Sequence, residues 1–173
     1  MAIDRIDVAS KSDAGWFNTR NIISNGIANN WKSRSKTIYR NTEKALRESK
    51  MPVSVDASVY IDVAFMNFFQ RPAEVTGKSI KVSERDILLA NDVFKSVVDI
   101  ISPDIVIFTS SLAFQSARKG MALAHLENFN IPYVRTPHPG MPWWNRVSKA
   151  YGNRTGKDHF VNFINQQVSV KHA

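Results

Sequence analysis

The chain contains no cysteine. Disulfides, thiolate nucleophiles and cysteine-ligated zinc or iron–sulfur centres are therefore excluded. Long hydrophobic runs are also missing, and the apolar stretches fall short of the ~20 residues that a membrane helix needs. The opening residues Met1-Ala2-Ile3-Asp4-Arg5 lack the basic-then-apolar pattern of a secretory leader. The expectation is a soluble, cytoplasmic protein. Glycine and proline number seven each in 173 residues, and no Gly/Ser-rich linker, repeat or low-complexity tract divides the sequence. One domain spanning 1–173 is expected. No Walker loop, dinucleotide-binding glycine fingerprint or nucleophile elbow occurs. His125, His138, His159 and His172 show no metal-ligand pairing in their spacing, so neither a metal nor an organic cofactor is expected.

Acidic residues are the scarcer charge, 15 Asp+Glu against 23 Lys+Arg, for a net charge of +8. Residues 1–50 hold ten basic and five acidic side chains, residues 51–110 five and eight, and residues 111–173 eight and two. The two ends are basic and the middle is acidic. This distribution fits a polyanion partner such as nucleic acid, or a basic solvated surface without a specific partner. A hydrophobic fraction of 43% is enough to build a core.

Apolar spacing predicts helices over about 16–31 and 35–49, the first interrupted or ended by Gly26 and Asn29-Asn30, the second with Ile38, Ala45 and Leu46 inward. Residues 59–69, dense in β-branched and aromatic side chains, read as a strand buried on both faces. Ser83 with Glu84 and Asp86 predicts a capped helix start and a helix over 84–101. Residues 104–110 read as a central parallel strand, 111–127 as a helix, 133–136 as a short strand and 157–168 as a closing helix. This alternation argues for an α/β domain with a parallel sheet and helices on both faces. In such sheets ligands sit beyond the carboxyl ends of the strands, where Met66 to Pro72 and Pro137 to Trp144 fall.

In those segments His138 stands between Pro137 and Pro139. The rigid backbone suits a fixed hydrogen-bond donor or general acid, or simply a turn. Asn67 carries a carboxamide that can read a base edge or satisfy backbone groups. Phe68, Phe69, Trp143 and Trp144 suit base stacking or core packing. Arg146, Lys149, Arg154 and Lys157, interleaved with Gly152 and Gly156, suit phosphate binding through side chains and amides, or a solvated surface.

The order Asn67-Phe-Phe-Gln-Arg71-Pro72, then Ser102-Pro-Asp-Ile-Val-Ile-Phe-Thr-Ser-Ser-Leu-Ala113, then Tyr133-Val-Arg-Thr-Pro-His138-Pro-Gly140 resembles the uracil-DNA glycosylase superfamily. The resemblance covers about residues 55–165. It implies a three-layer α/β/α sandwich with a short, mainly parallel central sheet. It further implies DNA as partner, uracil-containing or otherwise damaged, and cofactor-free hydrolysis of the N-glycosidic bond of a flipped base in DNA repair. In this resemblance His138 is the catalytic position and donates to the departing base. Asn67 and Phe68 recognise the base. Arg71, Met141, Trp143, Trp144, Arg146 and Lys149 contact DNA, with Met141 or a tryptophan filling the vacated space. The family's Gly-rich first motif has no counterpart in residues 1–13. Trp16 or Phe17 is the available aromatic, and Asp4, Asp7, Asp13 and Asn18 are the available water-positioning groups. This departure leaves a second possibility, a catalytically inactive nucleic-acid-binding or interaction module on the same fold. A third is another α/β hydrolase or transferase acting on a small nucleotide-like molecule.

Overall fold

A computed structural model describes residues 19–31, 37–53, 58–75 and 79–171. The aromatics Trp16 and Phe17, and Asp4, Asp7, Asp13 and Asn18, lie outside these residues. Among the described residues the chain is a mixed α/β structure with six α-helices and a small sheet of two parallel strands, plus a short hairpin. No helix among them is long and apolar enough to cross a membrane.

The helix α1, Thr19–Ala28, ends where Asn29 and Asn30 were expected to end it, and Asn30 and Trp31 both take positive φ. This turn swings Trp31 back over the helix, where its Nε1 donates to Glu43 at 2.6 Å. The helix α2, Thr37–Glu48, buries Tyr39, Thr42, Ala45 and Leu46. Tyr39 thus takes the inward position expected of Ile38. In α3, Glu84–Ile101, the expected cap is present as a reciprocal box: the Ser83 hydroxyl accepts the Asp86 N–H while the Asp86 carboxylate accepts the Ser83 N–H. Ser102, in the left-handed region at φ 48°, ends it before Pro103.

Strands β1, Val106–Phe108, and β2, Tyr133–Arg135, run parallel, with Val106 opposite Tyr133 and Phe108 opposite Arg135. Between them the expected single helix is two: α4, Ser111–Lys119, and α5, Ala122–Asn128. The break has a packing cause. A Cβ at Gly120 would overlap the carboxamide of Asn91 on α3. That carboxamide donates to the Ser116 carbonyl and accepts the Ala122 N–H. A side chain from α3 therefore supplies the acceptor at the start of α5, where Met121 provides no cap. The hairpin strands β3, Val147–Ser148, and β4, Arg154–Thr155, lead into α6, Gly156–Lys171.

Side chains of β1 alternate between two cores, as strand geometry requires. Val106 and Phe108 join Phe94, Val98, Ala117 and Leu126 from α3–α5. Ile105 and Ile107 join Leu46, Val59, Trp144, Phe160 and Ile164, from the α2 and α6 side. Residues 59–69 do not form the expected strand. Val59–Ile61 is a single 3-10 turn capped by Ser58, and the chain beyond is irregular. The reason is that this segment serves both cores: Val59, Tyr60 and Val63 pack on the α2/α6 cluster, whereas Met66, Phe68 and Phe69 pack on the α3–α5 cluster. The two sets form consecutive blocks, with the adjacent Phe68 and Phe69 on the same cluster, instead of alternating as the side chains of β1 do.

Candidate nucleic-acid interface

The carboxyl end of β2 runs directly into the segment that carries most of the expected site residues. Thr136 extends the ladder by donating its N–H to the Phe108 carbonyl at 2.9 Å. Its hydroxyl is buried without a hydrogen-bond partner among the described residues. Pro137 is buried beneath the start of α6, and a Cβ at Gly156 would overlap its ring. The Pro139 carbonyl accepts the Asn41 Nδ2 of α2 at 2.7 Å. His138 is thus carried by a backbone fixed on each side, by α6 through Pro137 and by α2 through Pro139.

The imidazole itself is oriented by the loop that follows it. Gly140 donates its N–H to Nδ1 at 3.0 Å. Nδ1 must then carry the lone pair, which leaves the proton of the neutral ring on Nε2. Desolvation by the surrounding loop holds the His138 pKa below its ordinary value, so the neutral tautomer is the one present at neutral pH. Among the described residues Nε2 has no partner and is available as a donor on an exposed side chain.

Beyond Gly140, Met141 N–H donates to the His138 carbonyl at 2.9 Å and Pro142–Trp144 forms a 3-10 turn. This turn separates the tryptophans. Trp144 is 1% exposed, edge-on to Phe160 at 5.6 Å in the α2/α6 core, whereas Trp143 is 54% exposed. Met141, Arg146 and Lys149 are exposed as well. His138, Met141, Trp143 and Arg146 therefore lie on one short loop, with Lys149 on the next turn.

No family model, no curated protein and no solved structure matches this chain.

Three expected site residues have other tasks. Trp144 is core, because adjacent side chains on the 3-10 turn point about 120° apart and this one is directed onto Phe160. Phe68 is buried among Phe69, Phe94 and Phe108, edge-on or tilted to each, so its faces are taken. Arg71 is an organising cation. It donates to Asp86 through Nε at 2.6 Å and through a terminal nitrogen at 2.9 Å, to the Lys81 carbonyl at 3.0 Å, and pairs with Glu74 at 2.8 Å. The Arg71 bonds, aided by Ser83, hold the Asp86 carboxyl well below the usual carboxylate range. Asn67 is exposed; its carbonyl accepts a bond from Gln70 Nε2, and its carboxamide has no partner among the described residues. It stands next to Phe68, which packs on Phe108, the last residue of β1.

At the start of α6 the Asp158 carboxylate is turned back onto Thr155. Thr155 and Asp158 form a mutual cap, with Asp158 N–H donating to Thr155 Oγ1 at 3.0 Å and Thr155 Oγ1 donating to Asp158 at 2.6 Å.

Two supporting groups escaped sequence reasoning. Asn41 is 98 positions from the carbonyl it holds, and no local pattern marks it. His159 in the first turn of α6 bonds the Arg135 backbone and packs on Tyr151 at 5.1 Å. Burial lowers its pKa, and Arg154 and Arg135 add to the effect. Among the described residues no group of three or more His, Asp or Glu side chains could hold a metal ion. A surface depression of about 380 Å3, lined by Val98, Asp99, Ser102, Pro103, Phe129 and Ile131, lies at the amino ends of the strands, opposite His138.

Proposed function

We propose that this protein binds DNA through the face formed by residues 136–149 and acts there as a uracil-DNA-glycosylase-like domain. The observation that carries the reading is the His138 ring. Its Nδ1 is engaged by Gly140, so a neutral Nε2–H is presented from a doubly anchored loop, beside an exposed aromatic and exposed cations. In glycosidic hydrolysis the bond between sugar and base breaks with its electron pair passing to the base, water adds to the sugar carbon through its oxygen, and the proton it loses balances the charge on the departing base. A fixed donor at the base oxygen stabilises the charge that develops there. Trp143 and Met141 suit the space left by a flipped base, Arg146 and Lys149 suit phosphates, and the free carboxamide of Asn67 suits a base edge. Helices against both faces of the β1–β2 ribbon support the three-layer α/β/α reading of the fold. A cytoplasmic location belongs to the same reading.

A second reading, a DNA-binding module without catalysis, is favoured by one observation. Phe68 and Arg71, beside Asn67, both have structural tasks that would preserve them without any reaction. One experiment separates the two. Uracil-containing single- and double-stranded oligonucleotides are incubated with the protein and treated with alkali. Strand breaks at uracil are expected, reduced by about 10²–10³-fold in His138→Ala. Binding by fluorescence anisotropy with no breaks at high protein concentration would leave the module reading. Absence of both would remove the proposal.

A further inference from the structure

A second depression, of about 460 Å3, lies along α6. Lys50, Arg154, Asn162, Asn165, Gln166 and Ser169 line it, and no carboxylate does. The four α6 residues recur at three- and four-residue intervals, which places them on one helical face. Asn165 uses Oδ1 to accept the Lys50 backbone N–H at 2.7 Å, which leaves its two N–H donors free. Neither Lys50 nor Arg154 has a carboxylate partner among the described residues. Glu48, at the end of α2, is held by Lys157 at 2.8 Å. The groove therefore offers two cations and a row of side-chain amides to any oxyanion chain, while the Ser169 hydroxyl is spent on the Asn165 carbonyl at 2.9 Å. The β3–β4 hairpin links it to the loop described above. Arg154 pairs with Ser148 across the hairpin, and that strand begins one residue after Arg146.

We infer that this groove binds the phosphodiester backbone of the DNA strand as it leaves the His138 loop. The inference rests on the DNA-binding reading and extends it with a contact indifferent to sequence. Lys50 and Arg154 neutralise phosphates through charge-assisted bonds. The neutral α6 face lets the strand lie against the helix without repulsion.

The test uses the full chain and fluorescein-labelled oligothymidylates of about 5 and about 16 nucleotides, within the range of single-strand site sizes. For the longer strand, the double variant Lys50→Gln/Arg154→Gln is expected to show a log Kd against log salt slope shallower by about 1.4, from two phosphate contacts at about 0.7 each. A fourfold rise in salt then weakens the unaltered protein about sevenfold more than the variant. The shorter strand is expected to bind both proteins alike. Gln166→Glu, on an exposed position of α6, is a second test and is expected to weaken the longer strand alone. Equal slopes, or an unaffected Gln166→Glu, would overturn the groove while leaving the DNA-binding reading in place. An unaltered protein that binds neither strand would overturn both.

Discussion

Replacing Asn91 tests the junction of α3, α4 and α5. Its Nδ2 donates to the Ile87 carbonyl at 2.7 Å and the Ser116 carbonyl at 3.1 Å, and its Oδ1 accepts the Ala122 N–H at 3.2 Å. The Ser116 carbonyl keeps the Gly120 N–H at 3.0 Å, so losing the side chain does not orphan it. The two donated bonds contribute about 1 kcal/mol each. The Ala122 N–H would be left buried without an acceptor, at about 1–3 kcal/mol. Asn91→Ala is therefore expected to lower stability by about 4 kcal/mol, a fall in Tm of about 8–16 °C, measured by urea and thermal unfolding followed by circular dichroism. Asn91→Asp separates hydrogen bonding from volume. It keeps the Ala122 acceptor but directs lone pairs at two carbonyls. Burial and those carbonyls raise the folded-state pKa of the new carboxyl above its unfolded value. Its contribution is then fully present below the unfolded pKa of about 3.9 and lost as pH rises through the folded pKa. The deficit relative to the unaltered protein should thus be large at neutral pH and narrow towards about pH 4. A loss below about 1 kcal/mol in Asn91→Ala, or a deficit in Asn91→Asp that ignores pH, would refute the reasoning.

Three further outcomes are expected. Trp143→Ala should leave unfolding within about 0.5 kcal/mol and weaken DNA binding by about 1–3 kcal/mol, whereas Trp144→Ala should cost about 3–5 kcal/mol of stability; anisotropy and urea melts on the pair check this, and equal behaviour would contradict the placement. Because Arg71 and Ser83 hold the Asp86 pKa below its unfolded value, that carboxylate stabilises the fold above the unfolded pKa and ceases to as pH falls; Asp86→Asn should be less stable at neutral pH, with a shallower decline below about pH 4 in acid titration. Asn41→Ala removes the tether on the Pro139 carbonyl, and should cost about 1 kcal/mol in melts while raising the Kd for DNA several-fold by anisotropy.

Much of the scaffold is legible in the sequence where its cause is local. Ser83, Asp86 and the apolar spacing that follows delimit α3 because caps and helical periodicity act within a few residues. The apolar runs that become β1 and β2 stand between turn signals for the same reason. What escapes has a distant cause. Gly120 is visible, but the Asn91 that it must admit is on another helix. The aromatics of residues 59–69 announce burial without saying that they enter two separate cores, and a burial signal alone resembles a buried strand. Trp143 and Trp144 are equivalent by composition, and the 3-10 turn that begins at Pro142 sends one inward and the other out. Asn41, which positions the loop, is marked by nothing near it in the chain.

The crossing of residues 59–69 between two cores also bears on the order in which the molecule assembles. One core is drawn from a continuous central stretch, from Met66 through α3, β1, α4 and α5 to β2, where partners are close in sequence and loop closure is cheap. The other joins Leu46 to Phe160 and Ile164, so both outer parts of the described chain must meet before it exists. The loop bearing His138 is anchored to that outer core through Asn41, Gly156 and Trp144. That loop is therefore expected to be the last part of the molecule to form. Pulling or fraying from either side would release it first, while the central half stayed closed.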